Sequence, residues 1–175
     1  KMGLFLVLLA AGDGKRLKSR LPKPYNKVNN KTLLEHSIEA FLSFQKIKKT
    51  IIVYNKKHVK YLKTCQLGNS IKIVGGKTRQ ESTFKALQRI KKMGCKKVLI
   101  HDSARPSPPK ELIKKIIHSL KKNHAVVPII KISDATKRVE KNTIFKNIQR
   151  NSLRLAQTPQ GFTFKKIYEK HEQNM

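Results

Sequence analysis

Short aliphatic runs alternating with stretches of helical period restrict the folds open to this chain more than any other feature. Residues 4–9 (LFLVLL) are apolar without interruption, the pattern of a strand buried on both faces. Residues 49–54 (KTIIVY), 70–76 (SIKIVGG), 96–102 (KKVLIHD) and 125–132 (AVVPIIKI) read as four further strands. Between the first two, residues 32–44 set Leu33, Leu34, Ile38, Phe41 and Leu42 at helical spacing behind a Thr32/Glu35 capping box. Residues 59–65, 81–93 and 109–120 read as helices, the last with Pro109 near its first position, and a final helix begins near Thr163. This alternation predicts an α/β fold with a mostly parallel sheet covered on both faces. The 175 residues suffice for a single domain spanning 1–175, and no Pro/Gly/Ser linker divides them. Residues 137–150 read as two short strands around the polar turn EKNT. A hairpin leaving an α/β core in this way is an arm, spanning about residues 132–152, of the kind that packs on a neighbouring subunit.

In open parallel sheets ligands sit beyond the carboxyl ends of the strands. The informative loops are therefore AGDGKR, GGKTRQES, HDSARP and SDATKR. The first belongs to LLAAGDGKRLKSRLPKPY, in which Gly12 and Gly14 follow the strand and five cationic side chains crowd in before Tyr25. Glycines there let the backbone approach a ligand, and its N–H groups can bind phosphate oxygens. Arg16 can grip two oxygens, whereas Lys23 acts as a point charge. The spacing is neither G-x-G-x-x-G nor a Walker loop, so those two phosphate sites are disfavoured. A turn followed by a solvated basic loop is the plain alternative. Gly75-Gly76 leads into Lys77, Arg79 and Ser82; Ser82 or Thr78 could equally be a helix cap. Asp102 closes a strand beside small residues and Arg105, suited to a divalent metal, a ribose hydroxyl, or a turn held by Arg105. His101 reads as structural. Taken together, loops with small residues, cations and one acid suit a nucleoside triphosphate with Mg²⁺.

The charge balance is extreme, with 40 Lys+Arg against 10 Asp+Glu and a formal net charge of +30. Such a surface attracts polyanions and speeds the arrival of anionic ligands without saying which. The lysines are spread along the chain, and aromatic residues make up 6% of it with no basic–aromatic interleaving. That pattern argues against a specific nucleic-acid platform. Cys65 and Cys95 lie far apart without metal-like spacing, so neither a disulfide framework nor a metal site is expected. The opening apolar run is too short to span a membrane, and the composition reads as that of a reduced, cytoplasmic protein.

LAAGDGKRLKSRLPKPY, GGKTRQES, HDSARP, DATKRV and QRNSLRLAQTPQGF occur in the order, and nearly throughout the length, of one family. The chain resembles 2-C-methyl-D-erythritol 4-phosphate cytidylyltransferases of non-mevalonate isoprenoid biosynthesis, with PKPY where the family usually has P-K-Q followed by an aromatic. The resemblance implies a Rossmann-like three-layer nucleotidyltransferase fold with a protruding β-arm that builds a homodimer. It implies CTP, a sugar phosphate and a divalent cation, Mg²⁺ or another, as partners. Arg16 and Lys23 match the catalytic cations. Ala10, Ala11, Gly12 and Gly14 match the triphosphate loop, and Gly76, Arg79 and Ser82 the cytosine segment. Asp102 and Ser103 match positions near ribose, metal and sugar phosphate, with Asp102 the metal ligand. Arg105, Ala135, Thr136, Arg150 and Thr158 match positions facing the methylerythritol phosphate, those on the arm from across the dimer. Ala135 stands where the family often has threonine. The family continues past QTPQGF with further strands and a lysine motif, so the expectation is a fragment or the cytidylyltransferase part of a fused bifunctional enzyme. A sister cytidylyltransferase for another polyol phosphate, such as ribitol 5-phosphate, is the nearest alternative, and a non-enzymatic basic nucleic-acid-binding protein a distant one.

Overall fold

The structure is a computed structural model that describes residues 3–12 and 21–174. Its strands are β1 (Leu4–Ala10), β2 (Lys27–Val28), β3 (Lys31–Thr32), β4 (Ile47–Tyr54), β5 (Ile71–Val74), β6 (Lys97–Asp102), β7 (Ala125–Val126), β8 (Ile129–Lys131), β9 (Thr136–Glu140), β10 (Thr143–Ile148), β11 (Arg154–Ala156) and β12 (Gln160–Thr163). Its helices are α1 (Leu33–Leu42), α2 (Val59–Leu62), α3 (Arg79–Ile90), α4 (Lys110–Ser119) and α5 (Phe164–Gln173). The central sheet runs β5-β4-β1-β6-β12-β7. The first four of these strands are parallel neighbours, whereas β12 is antiparallel to both β6 and β7.

β1 is buried along its whole length, as an uninterrupted aliphatic run requires. Its alternate side chains feed two cores. Leu4, Leu6, Leu8 and Ala10 pack with Leu34, Ile38 and Phe41 of α1 and with Ile113, Ile116 and Ile117 of α4. Phe5, Val7 and Leu9 pack on the opposite face with Ala86, Leu87 and Ile90 of α3 and with Phe164 and Tyr168 of α5. The result is three layers, helices on both faces of a mostly parallel sheet, as the alternation predicts. The capping box at α1 is present: Glu35 N–H donates to Thr32 Oγ1 at 3.2 Å, and Thr32 N–H donates to the Glu35 carboxylate at 2.7 Å.

The structure departs from the sequence expectation at the fifth strand. Residues 125–132 do not form one strand. β7 ends at Val126 in the central sheet, and β8 starts at Ile129 in a separate ribbon with β11. Pro128 lies between them; it has no N–H to donate to a ladder and breaks the run where the chain changes sheets. The arm is therefore longer than expected, from Ile129 to Ala156, with β9 and β10 as its tip. The tip turns through Lys141 and Asn142, both with positive φ, 46° and 64°. The short β2–β3 hairpin, turning through Asn29 and Asn30 with positive φ, was not anticipated either.

Candidate active site

In the sheet, β4 and β5 lie on one side of β1 and β6 on the other, so the strand order reverses beside β1. A crevice opens at such a reversal, outside the carboxyl ends of the strands. A cavity of about 680 Å³ occupies that place. It is lined by Ala11 and Gly12 after β1, Asn55 and Lys56 after β4, Gly75 to Arg79 after β5, and Asp102, Ala104 and Arg105 after β6. Lys23 and Pro24 close it from the side. A larger hollow of about 900 Å³ lies beyond Arg79 between α3, α5 and β12; its described lining has no carboxylate and no glycine.

Each loop is shaped by its own hydrogen bonds. Gly75 N–H donates to Tyr54 O at 2.8 Å, tying the end of β5 to that of β4. A side chain at Gly75 would stand 2.6 Å from the Ala11 Cβ and 2.9 Å from Ser82 Oγ, so glycine is what lets these loops meet. Thr78, not Ser82, caps α3, its hydroxyl accepting from Glu81 N–H at 3.0 Å. Ser82 is buried, and its hydroxyl accepts the Gly76 N–H at 3.0 Å. The Glu81 carboxylate accepts the Lys77 N–H at 2.7 Å, and this bond holds it below the usual carboxylate range. On the other rim, Asn55 Nδ2 donates to Ala11 O at 3.4 Å while Asn55 Oδ1 accepts Lys57 N–H at 3.0 Å.

Lys23 opens a short 3₁₀ turn, Lys23–Tyr25, in which Pro24 and Tyr25 are buried. The Tyr25 ring packs on Tyr61 and His58, at 5.7 and 6.0 Å between centroids. The lysine therefore stands on an anchored base. Across the cavity, Arg79 Nε donates to Asp102 Oδ1 at 3.0 Å, and Arg105 Nε lies 3.8 Å from Asp102 Oδ2. Five cationic side chains (Lys23, Lys56, Lys77, Arg79 and Arg105) and one carboxylate line the cavity among the described residues. Such a lining attracts a multiply charged anion.

The remaining sequence candidates divide into three groups. Gly14 and Arg16 lie outside the described residues. Ala10, Ser103 and Thr158 stand behind the cavity rather than in its lining. Ala10 is wholly buried in β1; Ser103, equally buried, donates its hydroxyl to Leu9 O at 2.8 Å and takes the Ser37 hydroxyl on its own carbonyl at 2.9 Å. Ala135, Thr136 and Arg150 belong to the arm and do not line this cavity. Arg150 donates instead to Ser133 O. His101 is fully buried, and burial pulls its imidazole down to about 4, so the ring is neutral near pH 7. That agrees with its structural reading.

Asn55 and Lys56 are lining residues the sequence reading passed over. The signal was available, since NKK directly follows the second aliphatic strand and strand-end loops are where ligands sit.

No three His, Cys, Asp or Glu side chains cluster closely enough for a protein-only metal site among the described residues. One carboxylate facing a polycationic cavity instead suits Mg²⁺, which is commonly held by one or two carboxylates together with substrate phosphates.

Comparison with known proteins places these features. A family model for IspD, 2-C-methyl-D-erythritol 4-phosphate cytidylyltransferase, matches residues 4–175. The chain is 42% identical over 168 residues to a bifunctional enzyme IspD/IspF of Pelagibacter ubique, covering 96% of this chain and 45% of that one. It is 33% identical over 173 residues to a 2-C-methyl-D-erythritol 4-phosphate cytidylyltransferase of Clostridioides difficile, covering 96% and 73%. The structure of the bifunctional IspDF of Campylobacter jejuni superposes with a TM-score of 0.84 at 30% identity, covering 98% of this chain and 44% of that one. The chain thus spans less than half the length of the bifunctional relatives it matches.

Proposed function

Because the chain belongs to the 2-C-methyl-D-erythritol 4-phosphate cytidylyltransferase family, we propose that this cavity transfers a cytidylyl group from CTP to 2-C-methyl-D-erythritol 4-phosphate, releasing pyrophosphate. The observation that carries the reading is the convergence of four strand-end loops and Lys23 around one polycationic cavity with a single carboxylate.

The chemistry follows from charge. A phosphate oxygen of the sugar attacks the α-phosphorus of CTP, the bond from that phosphorus to the β-phosphate oxygen breaks, and pyrophosphate leaves with the electron pair. No covalent enzyme intermediate is required. Two obstacles dominate: repulsion between anions, and alignment of attacking and leaving oxygens. Backbone N–H groups at Ala11 and Gly12, with Lys56 and Lys77, are placed to take triphosphate oxygens. Lys23, with Arg16, stabilises negative charge as it grows on the α-phosphate and the leaving group. A divalent cation held by Asp102 and triphosphate oxygens would supply further neutralisation of that charge. Gly76 and Ser82 shape the segment that faces the base.

The arm completes the proposal. Val139, Ile144 and Phe145 on it are more than half exposed, an apolar cost that a second copy would remove. Ala135, Thr136 and Arg150 would then reach the partner's cavity and hold the sugar phosphate. Sedimentation velocity reads this directly: a dimer is expected, and a monomer at assay concentration would remove the arm residues from the site. The reaction itself is tested by pyrophosphate release with CTP, Mg²⁺ and methylerythritol phosphate, alongside ribitol 5-phosphate and the other nucleoside triphosphates. Release confined to CTP with methylerythritol phosphate is expected. Release with ribitol 5-phosphate instead would assign the sister activity, and failure to bind CTP would reject the reading.

The Gly75 contact makes a separate prediction. Gly75→Ala pushes a methyl group against Ala11 and Ser82, an overpacking that costs about 1–3 kcal/mol. CTP affinity is expected to fall about 5- to 150-fold. Calorimetric titration checks it, and unchanged affinity would show that the two loops can part without loss.

A further inference from the structure

Among the described residues, the proposed chemistry leaves a wholly buried titratable side chain, His101, unused. His101 directly precedes Asp102 and lies against the Phe41 ring, 5.4 Å between centroids. Both ring nitrogens are hydrogen-bonded. Nε2 is 2.8 Å from Arg105 O, and Nδ1 is 2.8 Å from Thr158 Oγ1. A carbonyl oxygen has no proton to give, so Nε2 carries the ring hydrogen and donates it. Nδ1 of the neutral ring must then accept, and the Thr158 hydroxyl is its donor. With its one proton committed, the Thr158 oxygen accepts the backbone N–H of Asp102 at 3.3 Å. Arg105 N–H closes the turn onto Asp102 O at 2.9 Å. Every hydrogen in this relay has one direction.

The relay ties the end of β6 and the turn through residues 102–105 to the loop that enters β12, just beyond the last pair of the β6–β12 ladder, Ile100 with Gln160. Its members bond the main-chain N–H and carbonyl of Asp102, whose carboxylate oxygens face Arg79 at 3.0 Å and Arg105 at 3.8 Å.

We infer that His101 is a positioning residue for the transfer reaction: its Nε2-protonated ring orients Thr158 and the 102–105 turn, and through them holds Asp102 between the two guanidiniums. This role rests on the cytidylyl-transfer reading of the cavity.

Thr158→Val keeps the shape and removes both hydroxyl bonds, whereas Thr158→Ser restores them. For the valine variant kcat is expected to fall about 10- to 100-fold, the range for groups that orient a ligand from behind. The Mg²⁺ concentration for half-maximal rate should rise, with KM for methylerythritol phosphate little changed, and serine should recover most of the loss. His101→Asn leaves an acceptor near the Nδ1 position, and His101→Gln leaves a donor near Nε2. Each is expected to retain more activity than His101→Leu at matched thermal stability. A readout independent of turnover is the long-range ¹H–¹⁵N spectrum of the wild-type imidazoles at neutral pH, which should show His101 as the Nε2–H tautomer. An Nδ1–H tautomer would overturn the inference even in a fully active enzyme. So would a valine variant with wild-type kcat, or one whose whole defect lies in KM for methylerythritol phosphate. A wild-type chain that binds no CTP fails earlier, at the transfer reading, and takes the positioning role with it.

Discussion

Lys23→Ala is expected to lower kcat about 100- to 1000-fold, a loss of about 3 kcal/mol of transition-state stabilisation comparable to removing one oxyanion donor. Lys23 lines the cavity from a turn whose next two residues are buried. Its ammonium is therefore presented by a fixed base, in a cavity lined by five described cations that suit the proposed triphosphate. Losing one of five costs ground-state binding modestly, because the others remain. In the proposed mechanism Lys23 is the one beside the developing charge, so its loss costs the transition state more. The loss should therefore fall on kcat, with the CTP dissociation constant changed less than about tenfold. Lys23→Arg keeps the charge without the compact ammonium and should recover part of the rate. Single-turnover kinetics at saturating CTP and Mg²⁺ measure the step. Turnover within a few-fold of wild type, with normal CTP binding, would remove Lys23 from the mechanism.

Leu8→Ala is expected to destabilise the fold by about 2–5 kcal/mol, the range for a leucine deleted from a packed core. Leu8 is fully buried on the central strand, registered with Ile52 on one side and His101 on the other. It packs among α1 and α4 side chains in a core that cannot close over the gap without moving a helix. Against a total stability of about 5–15 kcal/mol, that is a large share. Val139→Ala on the arm is the matched control. Val139 is 56% exposed, and a monomer should register a change within about 0.5 kcal/mol. Urea unfolding of both variants gives the comparison. A Leu8→Ala loss below about 1 kcal/mol would mean that β1 is not the centre of a tightly packed sheet.

Much of the scaffold was legible because its causes are local. The run through Leu4–Ala10 had to be covered on both faces, and it is. The Thr32/Glu35 box satisfies the first N–H groups of α1 using residues three apart. Of the strand-end loops singled out for their small residues and cations, residues from the described parts of the first three line one cavity, whereas SDATKR lies on the arm away from it. Other features came from distant parts of the chain. Strand β12 lies antiparallel between β6 and β7, a placement that no period of four residues could announce. Pro128 was read through as part of one strand, and only the fold shows that the chain changes sheets there. The resemblance matched Ser103 and Thr158 to site positions; in the fold their hydroxyls bond inward, one onto Leu9 O and the other onto His101.

By itself, then, the sequence determined the parallel strands and main helices of the central sheet and which strand-end loops carry glycines, cations and a carboxylate, while the resemblance singled out Arg16, Lys23 and Asp102. The elements and loops follow from side-chain period, capping and charge, which act over a few residues. The tertiary structure alone decided the strand order, the meeting of Ala11 with Gly75, and the inward turn of the His101–Thr158 relay beneath Asp102. Those depend on hydrogen bonds and close contacts between residues dozens of positions apart, and such pairings are settled only when the sheet closes and buried polar groups must find partners.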